Sequence, residues 1–237
     1  MIRTVFYAVH VFFVFFFSFI TLIPFFILRY ITGNKVWENF NRADVSFWSW
    51  VGLLGTGSTF DVSGTENVPE GSAVFISNHQ SHFDIFIILC YIKKMVGFIA
   101  KIELRRVPIL NTWISLLHGI FINRNNMRDS YNTIEEGIKN LKKGYSLMIF
   151  PEGHRSKGPV PGVFKSGSFK LAILSNTQIV PVSIKDSYKI FEETGRIRPA
   201  HVTVRIHPPI KVEGLSEDEK RALPGRVAEI IKKDLLD

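Results

Sequence analysis

A histidine and an aspartate stand five residues apart in a polar stretch that follows an apolar run. The stretch reads ISNHQSHFDIF over residues 76–86, and the pair is His79 and Asp84. On one continuous helix five residues turn through about 500°, so the two side chains would point roughly 140° apart and could not touch. If His79 instead lies on the turn after a strand and a helix starts at Phe83, the carboxylate can reach the imidazole. Such a pair would orient a general base, because a neutral imidazole readily accepts a proton near neutral pH.

The same residues allow three other interpretations. His79, His82 and Asp84 could bind a metal ion, although the histidines are three residues apart and no further ligand cluster stands out. Ser81 could be a covalent nucleophile, although the sequence has no GxSxG motif. Asp84 could simply cap a helix, with His79 in a structural role. Asn78 is expected to shape the turn.

Two further polar clusters follow predicted strands. Asn123-Arg124 ends the run GIFIN, and Pro151-Glu152-Gly153 follows the run SLMIF, with Arg155 close behind. In α/β sheets the ligand site lies at the carboxyl ends of the strands, so we expect these clusters to converge with His79. Arginine forks pair with two phosphate oxygens at once, so Arg124 and Arg155 are candidates to bind a phosphate.

The pattern after Asp61 alternates between short apolar runs and amphipathic segments. It is typical of an α/β domain with a largely parallel sheet flanked by helices. The predicted strands are 73–77, 96–100, 119–123, 146–150, 179–184 and 202–206, and the predicted helices are 83–91, 129–143 and 168–175. Ser216 and Glu219 form a capping box before a C-terminal helix, which Pro224 is expected to split into two pieces.

The N-terminal residues differ from the rest of the chain in composition. From Thr4 to Leu28 there is no Lys, Arg, Asp or Glu, and phenylalanine dominates. Twenty-five residues at about 1.5 Å each could cross a hydrocarbon core of about 30 Å. A cleaved signal peptide is the alternative, and the length of the run and the lack of a small-x-small cleavage site disfavour it.

A second apolar segment, residues 45–54, is too short to span a bilayer. Trp37, Trp48 and Trp50 lie in or near it, close to basic residues, a combination suited to the headgroup region. We therefore interpret residues 1–60 as a membrane anchor of two helices, the second in the interface, with a single spanning helix as the alternative. More positive charge follows the long apolar run than precedes it, which favours a cytoplasmic position for the domain at 61–237.

The net charge of the chain favours some classes of binding partner over others. The 237-residue chain has a formal net charge of +8, and residues 93–143 hold ten Lys/Arg against four acidic residues. This excess favours an anionic partner such as a membrane surface, a phosphorylated ligand or nucleic acid. The aromatic residues lie in the proposed anchor rather than among the basic ones, which argues against nucleic acid. Cys90 is the only cysteine, so no internal disulfide is possible.

Six ordered sequence blocks resemble those of the glycerolipid acyltransferase family, in particular the 1-acylglycerol-3-phosphate acyltransferases. The blocks are NHQSHFD (78–84), AKIEL (100–104), GIFINR (119–124), FPEGHRS (150–156), FKSGSFKLA (164–172) and IVPV (179–182). They cover roughly residues 61–212. Two positions depart from the family pattern: His154 replaces the usual Thr, and Asn123 stands where Asp is frequent. These departures could alter phosphate binding or the choice of acceptor rather than the chemistry.

The resemblance implies transfer of a fatty acyl group from an acyl-CoA or acyl-carrier-protein thioester to the 2-hydroxyl of lysophosphatidic acid. His79 would be the general base and Asp84 its partner, without an acyl-enzyme, a metal or a cofactor besides the thioester co-substrate. Substrate would be bound by Lys101, Arg124, Glu152, Gly153 and Arg155. Gly153 is expected to permit close backbone approach, and Glu152 to hold Arg155 or the hydroxyls of the acceptor. Another lysolipid acceptor, or a non-enzymatic basic lipid-binding membrane protein, are the alternatives.

Overall fold

The computed structural model describes residues 1–32, 34–123 and 127–236, which form an α/β fold. Its strands are β1 (Thr59–Ser63), β2 (Val74–Ser77), β3 (Val96–Lys101), β4 (Ile120–Ile122), β5 (Ser146–Ile149), β6 (Ile179–Lys185) and β7 (His201–Ile206). Its α-helices are α1 (Ile2–Thr32), α2 (Asn34–Leu54), α3 (Phe83–Tyr91), α4 (Pro108–Leu116), α5 (Met127–Lys142), α6 (Lys170–Ser175) and α7 (Glu217–Leu236). Each predicted strand and helix is present within a few residues of its expected bounds.

All seven strands belong to one sheet, in the order β1-β7-β6-β2-β5-β3-β4. The strands β6, β2, β5, β3 and β4 run parallel, β7 is antiparallel to β6, and β1 is parallel to β7. The predicted largely parallel sheet is thus confirmed. Since β2 and β5 lie in the middle and parallel strands share one carboxyl edge, the residues that follow them are brought side by side.

Helices cover both faces of this sheet, which explains why β2 and β5 are apolar without alternation. On one face Phe75 of β2 packs with Ile87 and Ile88 of α3. On the other face Val74 of β2 packs in a cluster that includes Val227 of α7 and residues of α5 and α6. The two cores hold the carboxyl edge of the sheet rigid.

The C-terminal helix α7 runs unbroken through Pro224, so the prediction that this proline splits the tail was wrong. A proline inside a helix costs about 3 kcal/mol, because it removes a main-chain hydrogen bond. Four buried side chains at intervals of four residues hold the helix on the sheet: Leu223, Val227, Ile231 and Leu235. Each contributes about 1.5–3 kcal/mol of apolar burial, which together outweighs the cost of the proline.

The two helices expected before residue 60 are present as α1 and α2. His10 of α1 bonds to the carbonyl of Val51, and Trp48 of α2 donates to Thr21, so the helices run in opposite directions. The segment Ile2–Pro24 is long and apolar enough to cross a membrane. Its outward-facing aromatic residues include Phe6, Phe12, Phe13, Phe16 and Phe17.

The opposite side of α1 contacts the rest of the protein. Arg3 donates to the carbonyl of Thr56 at 2.8 Å, and the ring of Tyr7 lies 5.7 Å from that of Phe83.

Strand β1 and helix α4 were not predicted from the sequence. β1 adds an edge to the sheet beside β7, and α4 packs Trp113 into a small cluster with residues of α1 and α2.

Candidate active site

The residue after β2 fixes the turn that leaves the sheet. The Asn78 amide donates to the carbonyl of Ile184 at 2.7 Å, and the Ile184 N–H donates to the Asn78 side-chain oxygen at 2.9 Å. Asn78 is fully buried, so this reciprocal pair extends the contact between β2 and β6 beyond the last residue of β2. As expected, Asn78 shapes the turn and thereby sets the position of the next residue, His79.

The structure brings His79 and Asp84 together in the strand–turn–helix arrangement that their spacing predicts. Nδ1 of His79 lies 2.8 Å from Oδ2 of Asp84, which is in the first turn of α3 and has no exposed surface. The same oxygen accepts the N–H groups of Gln80 at 2.7 Å and Ser81 at 2.9 Å, and Oδ1 accepts the hydroxyl of Ser187 at 2.5 Å. Four donors therefore hold the carboxylate, and the carboxylate in turn fixes the Nδ1 edge of the imidazole ring.

The His79 ring is fixed on other sides as well. It stacks on Phe150, which follows β5, with ring centroids 4.0 Å apart and an angle of 15° between the planes. Its backbone N–H donates to Glu152, and its carbonyl accepts the N–H of Ser156 at 2.7 Å. The side chain is 16% exposed, and Nε2 makes no hydrogen bond within the described residues. A neutral imidazole that donates through Nδ1 presents the lone pair of Nε2 to a substrate.

Glu152 is a framework residue rather than a partner of arginine. Its two oxygens accept the N–H groups of His79 at 2.7 Å and Gly162 at 2.6 Å, and the residue is 1% exposed. The expectation that Glu152 holds Arg155 was therefore wrong, because the carboxylate is turned inward onto the backbone. Burial raises the pKa of the Glu152 carboxyl, and the hydrogen bonds from those N–H groups oppose the rise. Gly153 has φ 77°, a conformation that favours glycine.

Arg155 instead pairs with Glu192, a residue that the sequence analysis did not identify. Arg155 Nη1 lies 2.8 Å from Glu192 Oε1, and the Glu192 side chain is 3% exposed. Glu192 also accepts the hydroxyl of Ser81 at 2.6 Å and the N–H of His82 at 3.0 Å. Glu192 follows the short 3₁₀ turn Ser187–Ile190, which comes soon after the carboxyl end of β6. Its place soon after a parallel strand was the signal that could have identified Glu192, but the last block that resembles the family, IVPV, ends at residue 182.

The remaining predicted cations are Lys101 and Arg124. Lys101 is the last residue of β3, and its side chain is exposed and makes no hydrogen bond within the described residues. Arg124 lies outside the described residues, and Asn123 follows β4 directly. Since β3 is separated from β2 by β5, Lys101 lies two strands from His79 along the same edge.

The geometry disfavours the alternative roles for this stretch. The Ser81 hydroxyl is buried, donates to Glu192 and accepts the N–H of Phe83, so it is engaged in a cap rather than aligned with His79 as a nucleophile. Within the described residues no group of three or more His, Cys, Asp or Glu side chains has an arrangement that could hold a metal ion. Burial, and then the nearby Arg155, lower the pKa of His82.

Comparison with known proteins identifies the class to which this fold and site belong. Residues 59–185, which hold the His79–Asp84 pair and Glu152, match the family model described as acyltransferase. The chain therefore belongs to the acyltransferase family.

Individual relatives narrow the class further. The chain is 34% identical over 176 residues to the 1-acyl-sn-glycerol-3-phosphate acyltransferase of Borreliella burgdorferi, covering 73% of this chain and 70% of the relative. It is 30% identical over 169 residues to the Escherichia coli protein of the same name, covering 70% of this chain and 68% of the relative. Against the chloroplast LPAT1 of Arabidopsis thaliana the identity is 34%, over 63% of this chain and 43% of the relative.

A solved structure has the same architecture. The crystal structure of the 1-acyl-sn-glycerophosphate (LPA) acyltransferase from Thermotoga maritima superimposes with a TM-score of 0.86 at 28% identity, over 99% of this chain and 95% of that one. The likeness includes the N-terminal helices, since it covers almost the whole chain.

Proposed function

We propose that this protein transfers a fatty acyl group from an acyl thioester to the 2-hydroxyl of lysophosphatidic acid, which gives phosphatidic acid. The observation that carries the proposal is the imidazole of His79, held by the buried Asp84 at 2.8 Å with Nε2 left for substrate. The names of the relatives support lysophosphatidic acid as the acceptor. The donor is an acyl-CoA or an acyl-carrier-protein thioester.

In the proposed reaction, Nε2 of His79 takes the proton of the acceptor hydroxyl as its oxygen attacks the thioester carbonyl. The tetrahedral intermediate then breaks its C–S bond, and the imidazolium returns the proton to the departing thiolate. The new ester and a free thiol are the products, so His79 ends neutral. Asp84 stabilises the imidazolium through Nδ1–H and keeps the ring in the productive tautomer. No metal ion or cofactor besides the thioester takes part in this proposal, so a chelator is expected to leave turnover unchanged.

The acceptor phosphate is bound by cations along the carboxyl edge of the sheet. Arg155 is best placed for this role, because its loop begins beside His79 and its side chain, although paired with Glu192, is 24% exposed. Lys101, at the end of β3, and Arg124, which lies outside the described residues, are further candidates. The left-handed turn at Gly153 allows substrate to approach the backbone, and Glu152 contributes by fixing the loop.

The acceptor is a membrane lipid, and we propose that α1 and α2 hold the protein on the cytoplasmic face of the cell membrane. The outward face of α1 carries exposed phenylalanines, among them Phe12 at 65% and Phe16 at 48%. Burying such aromatic area in the headgroup and acyl region is favourable. Replacing both residues by serine should therefore lower sedimentation with vesicles, whereas Tyr131→Ser, a change at an exposed aromatic on α5, should not.

One assay tests the activity. Purified full-length protein is supplied with a labelled acyl-CoA, or an acyl-carrier-protein thioester, and with a panel of lysolipids that differ in headgroup. We expect labelled phosphatidic acid from lysophosphatidic acid, at least tenfold faster than product from uncharged or zwitterionic headgroups. A preference for another lysolipid would replace the acceptor, and binding of lipids without turnover on any acceptor would favour a non-enzymatic lipid-binding role.

A further inference from the structure

We propose that Glu192 is a positioning residue that presents Arg155 to the acceptor phosphate. This inference rests on the proposed function, because it assigns a task to a residue beside the same site. Glu192 lies beyond the segment 59–185 that matches the family model. It lies in the connection between β6 and β7 and contacts both the turn after β2 and the loop after β5.

The contacts of Glu192 join two separate parts of the site. Oε2 accepts the Ser81 hydroxyl at 2.6 Å, and Oε1 accepts both the His82 N–H at 3.0 Å and Arg155 Nη1 at 2.8 Å. Ser81 and His82 form the turn between His79 and α3, whereas Arg155 lies on the loop after β5. One nearly buried carboxylate therefore fixes the distance between the imidazole and the guanidinium.

The contact with Glu192 occupies only part of the guanidinium. Arginine has five N–H donors, and within the described residues Glu192 is the partner that occupies Nη1. A phosphate can then bind the exposed side of the same group. Positioning of this kind is valuable, because a displacement of about 1 Å can cost on the order of 100-fold in rate.

The test is a double-mutant cycle in the full-length protein with Glu192→Gln and Arg155→Ala. Glutamine keeps the shape and can still accept one hydrogen bond, and Glu193→Gln at the exposed neighbour is the matched control. We expect Glu192→Gln to raise the KM for the acceptor about 10–100-fold, with little change in the KM for the thioester. In the Arg155→Ala background the same change should have almost no further effect on the acceptor KM, since Glu192 acts through Arg155.

The outcomes separate this inference from the function on which it rests. Multiplicative effects of the two changes, or an equal loss of affinity for thioester and acceptor, would show that Glu192 only stabilises the fold. A Tm measured for each variant reports that structural effect directly. A wild-type protein without activity on lysophosphatidic acid would instead overturn the proposed function, and the cycle would then be run with the acceptor that it does use.

A second inference rests on a different surface, the loop of residues 157–163, which we call the rim loop. We infer that the rim loop inserts Val160 and Val163 into the surface of an anionic bilayer. These valines are 73% and 86% exposed, although hydrogen bonds fix the loop at Gly162 and at Ser156, the residue before it. The Gly162 N–H donates to Glu152, and the Ser156 N–H donates to the carbonyl of His79.

The charge around the rim loop fits that partner. Residues 153–185 contain five Lys/Arg and no Asp or Glu, and Lys157, Lys165 and Lys170 are exposed. Basic residues near an anionic leaflet are attracted to it, and apolar side chains at the same surface gain from burial. Because Glu152 holds Gly162 and His79 with its two oxygens, docking of the rim loop would bring the imidazole close to the lipid surface.

A fluorescent probe can test this contact. In a Cys90→Ser background, an environment-sensitive fluorophore is attached at Val163→Cys or, as the matched control, at Leu174→Cys, an exposed position on α6. With vesicles of phosphatidylcholine and phosphatidylglycerol, we expect a blue shift and protection from aqueous iodide at position 163 and neither change at position 174. Vesicles of phosphatidylcholine alone should give a weaker response.

Equal responses at positions 163 and 174, or none at 163 in protein that sediments with the vesicles, would overturn the insertion. An equal response without phosphatidylglycerol would overturn the electrostatic part. Protein that fails to sediment with either kind of vesicle would overturn the proposed membrane location itself.

Discussion

Two helices of this protein begin with the same local device, and only one of them lies at the candidate active site. In α3 the first-turn residue Asp84 accepts the N–H groups of Gln80 and Ser81. In α7 the first-turn residue Glu219 accepts the N–H of Ser216, whose hydroxyl accepts the N–H of Glu219 at 3.3 Å. Both carboxylates accept N–H groups of residues that lead into a helix, and in α7 the contact is a capping box.

The difference lies in burial and in the additional partners. Glu219 is exposed, and its cap only defines where α7 begins. Asp84 has no exposed surface and receives two more donors, from His79 and from Ser187 on a distant part of the chain. A contact at a helix start and the proposed role of orienting a general base are thus compatible in one side chain. The hydrogen bonds of the cap hold the carboxylate still, and that rigidity is what an orienting partner of a general base requires.

The largest effect is expected from removing the base. His79→Ala should lower turnover by about 10²–10⁴-fold, because no other group in contact with Asp84 can take the proton of the acceptor. Single-turnover assays with saturating thioester measure the loss, and a Tm within a few degrees of wild type shows that the fold is intact. Near-normal turnover would refute the mechanism.

Asp84→Asn should come next, with a loss of about 10²-fold in turnover. With its NH₂ group toward Gln80 and Ser81 the amide would meet two N–H donors, and in the other orientation the Ser187 hydroxyl would have to rotate to accept. In either case the buried donors lose a charged acceptor. The variant should therefore also lose stability, which Glu219→Gln should do far less. Chemical denaturation of both variants measures the contrast, and equal losses would mean that burial of the cap is unimportant.

A smaller effect is expected at the phosphate-binding side. Arg155→Ala should cost about 10–150-fold in kcat/KM for the acceptor, which corresponds to about 1.5–3 kcal/mol for a charge-assisted hydrogen bond. Arg155→Lys should recover little, because an ammonium lacks the planar fork. A loss confined to the KM of the thioester would place Arg155 at the phosphates of the donor instead. Arg124→Ala is expected to behave in the same way.

The smallest effect belongs to the exposed cap. Ser216→Ala should lower Tm by about 2–4 °C and leave turnover unchanged. Hydrogen bonds from the Ser216 N–H and, second, from its hydroxyl lower the pKa of Glu219 below its usual value of 4.5. The share of the hydroxyl, which Ser216→Ala removes, is therefore full above pH 4.5 and is lost as the pH falls through the lowered pKa. Thermal melts between pH 7 and pH 3 should show the gap between variant and wild type narrowing. A gap that widens in acid would contradict this account.

The sequence predicted most of the fold because apolar runs and helical periodicity are local signals. The elements that were missed, β1 and α4, are short and depend on their neighbours: β1 is stabilised by pairing with β7, and α4 by packing on α1 and α2. The prediction at Pro224 was wrong for the opposite reason, because contacts with the sheet override a local signal. Its local helix-breaking tendency is real, but burial of Leu223 and Val227 on the sheet overrides it.

The contacts of the candidate site also divide into local ones, which the sequence predicts, and distant ones, which it does not. His79 and Asp84 could be paired from the sequence, because their contact spans five residues and depends on one turn. Glu192 and Ser81 are 111 residues apart in the sequence, and Ser187 and Asp84 are 103 apart, so neither contact can be predicted from a local sequence pattern. The expected contact of Glu152 with Arg155 was wrong, because the sequence could not show that this carboxylate turns inward to the N–H groups of His79 and Gly162.

The distant contacts of Asn78 have a consequence for synthesis of the chain. Its partner Ile184 lies 106 positions downstream, and β2 completes its place in the sheet only when β6 pairs with it. Contacts of such long sequence separation form late, since the intervening loop must be closed first. During translation the apolar helix α1 therefore leaves the ribosome long before the imidazole can be locked in place. The proposed base is therefore positioned only after most of the chain has been made, whereas the apolar α1 is exposed from early in synthesis.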